Sequence, residues 1–106
     1  MSEYNKSQPV ISDQLSQTEN KSGVIGTSNS PINFAQEVNA VEIVNNSTSA
    51  VVYISYSGPA TTTTGLPIYP QQYYSCNRRL TSFNIISDST NTDVRIMGHY
   101  EYEAHN

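Results

Sequence analysis

The chain has 106 residues, one cysteine, no tryptophan and a formal net charge of −4, with charged residues making up only 13 %. This length suits one domain, and Cys76 alone excludes both an intrachain disulfide and a cysteine-built zinc site. The acidic balance points away from nucleic acid, because phosphate binding needs clustered cations and only Arg78 and Arg79 are adjacent here.

The first residues carry no basic and apolar leader of the secretory type, and no apolar run reaches membrane-spanning length. Synthesis in a cytoplasm and no membrane partner are the expectations. Residues 1–35 are rich in Ser, Asn, Gln and Thr with scattered aliphatics. Such a segment buries too little apolar surface to offset the cost of ordering its backbone, so it reads as an extended arm, disordered unless bound. Its apolar residues Pro9, Val10, Ile11, Leu15, Val24 and Ile25 are the candidates for docking on a partner. Cutting the chain before Pro31 is expected to leave a folded body with weakened attachment.

From residue 36 onward the pattern changes. Asn33 to Asn39 could make one helical turn, but no window sustains apolar residues at i, i+3, i+4 and i+7. Ala40 to Asn45 alternates, NNSTS is a turn cluster, and AVVYISY from Ala50 is nearly all β-branched or aromatic. The short polar turn predicts an antiparallel hairpin of these two strands. Ser57 to Gly65 reads as a loop, and the prolines of LPIYP put that piece at an edge or bend. QQYYSC resumes strand character, LTSFNIIS alternates, and DSTNT is a turn. In the last strand Val94, Ile96, Gly98, Tyr100 and Tyr102 share one face, and Arg95, Met97, His99, Glu101 and Glu103 the other. Val52, Ile54, Phe83, Ile85, Val94 and Ile96 are the predicted core. Five or six short strands with regular turns predict an all-β fold, a small antiparallel β-sandwich or jelly-roll-like barrel at 36–106 behind the arm.

Two constellations invite chemistry. His99, Glu101, Glu103 and His105 fall on one side of a strand, but side chains two residues apart lie roughly 7 Å from one another, too far for adjacent ligands on one ion. A solvated strand face gives the same pattern, so no metal is assigned. Cys76 sits near Arg78 and Arg79, with His99 or His105 as conceivable bases, yet nothing in the spacing unites them. No cofactor and no catalytic residue is assigned. A cupin-like enzyme would need more histidines than the two present. The 8 tyrosines say more. Tyr73 and Tyr74 are adjacent, so a regular strand cannot point both inward, and one must meet solvent, a ligand or another subunit. Both join the partner-binding candidates, since tyrosine is enriched at contact surfaces.

The succession VEIVNN, VVYISYSG, a Thr-rich loop, GLPIYP, FNIIS, a polar turn and TDVRIMGHYEYE resembles small all-β virion proteins of tailed bacteriophages, over roughly Val38 to Glu103. These include capsid decoration proteins and the adaptor domains of head fibres, necks or head–tail connectors. The resemblance implies a non-enzymatic structural protein of the virion, a symmetric homo-oligomer such as a trimer, with its arm laid across neighbouring capsid or connector subunits. The alternative is a carbohydrate- or receptor-binding module using Tyr73 or Tyr74 as its stacking platform.

Overall fold

A computed structural model describes residues 16–101, and all of their regular structure is β. The strands are β1 (Ser16–Asn20), β2 (Gly23–Ile25), β3 (Ser30–Val38), β4 (Ala40–Asn45), β5 (Val52–Ser55), β6 (Leu66–Ile68), β7 (Tyr73–Cys76), β8 (Leu80–Ser87) and β9 (Thr92–Glu101). They form two antiparallel sheets. One runs β1-β9-β4-β7, with β2 also on β9, and the other runs β3-β8-β5-β6.

Burial alternates along most strands because side chains of successive residues leave opposite faces. β4 buries Val41, Ile43 and Asn45, β5 buries Val52 and Ile54, β8 buries Phe83 and Ile85, and β9 buries Val94, Ile96 and Tyr100. The large apolar residues that both sheets bury belong to one cluster. The six residues predicted as core all lie in it. The phase read for β9 also holds through Tyr100, and Tyr102 lies outside the described residues.

Three expectations are corrected. The segment Asn33 to Asn39 makes no helical turn: residues 33–38 belong to β3, whose ladder to β8 breaks between Asn33 and Val38. Burial decides this, since Phe34 packs against Phe83 with ring centroids 6.1 Å apart and Val38 is fully enclosed. That outweighs the weak local preference.

The predicted hairpin is also absent. β4 pairs with β7 and β9, β5 pairs with β6 and β8, and the turn after Asn45 carries the chain from one sheet to the other. Asn45 sets this crossing. Its buried Nδ2 donates to Ala50 O at 2.8 Å and Ile68 O at 2.9 Å, while its Oδ1 accepts from Ser47 N at 3.0 Å. A side chain that ties both sheets together at the turn leaves no place for a two-stranded ribbon.

The arm boundary at residue 35 moves as well. β1, β2 and most of β3 lie before it, and they line β9 and β8. Polar residues such as Thr18 and Asn20 can stay exposed there because the ladder to β9 satisfies the backbone. A cut before Pro31 would therefore remove two strands and the core residue Ile25. Residues 1–15 lie outside the described residues.

Gly98 brings the sheets close. A Cβ there would stand 2.6 Å from Phe34 Cε1 and 2.8 Å from Val38 Cγ1, so only glycine lets β3 rest on β9. On that side Glu19 adds a polar clasp. Its carboxylate accepts the Tyr100 hydroxyl and the Ala35 N–H at 2.9 Å, and pairs with Lys21 at 3.2 Å.

Candidate functional site

The partner-binding candidates separate once placed. Pro9, Val10, Ile11 and Leu15 lie outside the described residues. Ile25 is corrected: it is buried in the chain's own core, where a partner cannot reach it. Val24, its neighbour on the opposite face, is 65 % exposed. Tyr73 and Tyr74 divide as strand parity requires. Tyr73 is 59 % exposed on the outer face, and its hydroxyl donates to Glu42 Oε2 at 3.1 Å. Tyr74 is half-buried against the core.

The inner side of β7 holds a compact cluster. Tyr74 and Tyr56 share a hydrogen bond through their hydroxyls, and the Tyr56 hydroxyl lies 3.1 Å from Cys76 Sγ. The Arg78 guanidinium stacks 4.3 Å above the Tyr56 ring. Burial, followed by the hydrogen bonds to Cys76 and Tyr74, raises the Tyr56 pKa well above its ordinary value. Tyr56 is thus held as a neutral phenol and serves as a structural hydrogen-bonding group. Of the two arginines that follow Cys76 in the sequence, Arg78 thus lies over the Tyr56 ring.

His99 lies on the other side of the same sheet. Cys76 is opposite Val41, an inward residue, whereas His99 is opposite Ala40 on the outer face. The structure does not bring Cys76 and His99 together. His99 Nε2 instead stands 3.5 Å from Glu42 Oε1 and has no hydrogen-bond partner among the described residues. Glu103 and His105 fall beyond the described residues, and among the described ones no three metal-ligating side chains converge.

The surface feature that sequence reading only outlined, as an edge or bend at LPIYP, is the turn from Tyr69 to Gln72. Gln72 N donates to Tyr69 O at 3.0 Å with Pro70 at the second position and Gln71 at φ 65°, the geometry of a type II turn. That third position favours glycine, and a glutamine there costs roughly 1 kcal/mol or more. The surroundings hold it in place. Gln71 N donates to Asn45 O at 2.8 Å, and Gln71 Nε2 reaches Asn46 O at 3.0 Å and Ser47 O at 3.1 Å. Gln72 Oε1 accepts the Tyr69 N–H at 3.1 Å. The turn is therefore bolted to the Asn45 crossing, and it presents Tyr69, 52 % exposed, close in sequence to Tyr73. Pro70 followed by two polar residues was the available signal for it.

Exposed apolar bulk concentrates here. Of the four large hydrophobic residues exposed among the described residues, Leu66, Tyr69 and Tyr73 lie on β6, β7 or the turn joining them. A search against protein-family models finds no match to this chain, and a search of curated proteins finds none either.

Proposed function

We propose that the chain is a non-enzymatic structural module of a larger protein assembly. Its two sheets are read as a β-sandwich body, and the β6–β7 side is the contact surface of that body. The supporting observation is the pair Tyr69 and Tyr73, exposed yet held by a strained and densely hydrogen-bonded turn. Rigid tyrosines lose little conformational entropy on binding and supply large contact area. Most of the neighbouring side chains, Gln71, Gln72, Asn46 and Ser75, are neutral, and the Glu42 carboxylate that the Tyr73 hydroxyl meets already has that donor. In the virion setting implied by the sequence resemblance, such a body would decorate or connect capsid subunits. Pro9, Val10, Ile11 and Leu15 would extend the attachment ahead of β1.

Electron microscopy of material recovered with the full chain from its own particles tests this reading. Density for the chain at repeated, symmetry-related positions is expected. Recovery of the chain free of any particle would refute it. The exposed rings of Tyr69 and Tyr73 beside amide side chains also favour a second reading, a sugar-binding face. A glycan array separates the two: specific binding lost in Tyr73→Ser would support the sugar reading, and an empty array would end it.

A further inference from the structure

Edge strands expose unpaired backbone groups, and soluble proteins guard them with charges, prolines, bulges or extreme shortness. The edges of this fold are guarded unequally. β1 carries Glu19 and is followed by Lys21; β2 has only three residues and is flanked by Gly26. β3 contains Pro31 and a break in its ladder, and β6 contains Pro67. β7, with the sequence YYSC, has no charge, no proline and no bulge. Its shortness protects it, and its other guards lie outside its span: Pro70 before it and Arg78 and Arg79 after it.

The side of β7 that has no partner among the described strands can be read from its ladder. Asn45 N donates to Gln72 O at 3.0 Å. Hydrogen-bonded pairs recur every second residue in an antiparallel ladder, so the next ones are Ile43 with Tyr74 and Val41 with Cys76. The N–H and C=O groups of Tyr73 and Ser75 therefore point away from β4, toward the free side.

We propose that this edge pairs with β7 of a second copy of the same chain, antiparallel and about a twofold axis at Tyr74. The proposal rests on the reading of the chain as an assembly module and names the body's partner. An edge offering two outward residues spaced i and i+2 is complementary to itself. Tyr73 of each copy faces Ser75 of the other, and every outward N–H meets an outward C=O. The small Ser75 leaves room for the opposing exposed Tyr73 ring. Tyr73, exposed in the single chain, comes to lie at the new contact. A foreign strand could use the same hydrogen bonds, but it would not supply this two-way match of tyrosine to serine.

Sedimentation velocity of the full chain from micromolar to millimolar concentration tests the pairing. A species with the mass of two chains is expected. Ser75→Pro, which deletes an outward donor and spares the ladder to β4, and Ser75→Lys should both return a single chain with unchanged β circular dichroism. Thr18→Lys, on the opposite edge, should leave the dimer intact. Tyr73→Ser leaves the backbone untouched and should weaken association about tenfold, so the test survives a folding failure of the Ser75 variants. A dimer indifferent to all β7 changes, or one lost through Thr18→Lys, overturns the proposal. A chain monomeric at every concentration also overturns it, while the assembly reading is judged separately by whether the chain occupies repeated positions on a particle.

Discussion

Asn45 and Gly98 each determine how the two sheets meet, and neither does so by hydrophobicity. The Asn45 amide supplies donors to the carbonyls of Ala50, just before β5, and Ile68, the last residue of β6. Asn45→Ala would leave Ala50 O and Ile68 O without that donor in a buried site, at a cost of about 2 kcal/mol. Urea unfolding followed by circular dichroism should show this loss with little change in slope. Gly98→Ala acts by volume. The added methyl meets Phe34 and Val38 inside ordinary contact distance, and a loss of about 2 kcal/mol is expected in the same assay. Sequence reading placed Gly98 on the correct face of β9 but gave it no role, because only the approach of β3 makes the missing side chain matter. Asn45 was read as part of a polar turn. Its burial depends on Ile68, 23 positions away, which no local pattern reveals.

At the scale of elements, composition misled where pairing partners are distant. Among the described strands, only β5 and β6 are both consecutive in the chain and paired. The period-two patterns were legible because they reflect one buried face, which holds whichever strand lies alongside. The β4–β5 hairpin was misread because a short polar turn fits a crossing between sheets as well as a ribbon. β1 was invisible because its stability comes from β9 and from Glu19, not from apolar residues of its own. The Glu19 carboxyl is held below its ordinary pKa first by the Tyr100 hydroxyl and then by the Ala35 N–H. A depressed folded-state pKa contributes stability above the unfolded value and loses it as pH falls through the folded one. Asp93, lowered by Arg95 and Asn46, contributes with the same sign. The urea midpoint should therefore drop on acidification below the ordinary carboxylate range, and Glu19→Gln should flatten part of that drop. An unchanged pH profile in Glu19→Gln would remove the clasp from the account.

For the whole molecule, one flank is closed and the other open. On the β1–β3 flank, Gly98 admits Phe34 and Val38, and Glu19 ties β1 to Ala35. On the β6–β7 flank, Leu66, Tyr69 and Tyr73 stay exposed and β7 ends its sheet without a partner among the described strands. The adjacent tyrosines made one exposed ring legible from the sequence. The strained turn at Gln71 and the place of β7 at the end of its sheet needed the structure. Amide hydrogen exchange on the associated protein, compared with the dissociated chain, tests this account most directly. Tyr74, bonded within the sheet, should be protected in both states. The account predicts that Tyr73 and Ser75 become protected only on association; rapid exchange of both in the associated protein would contradict it.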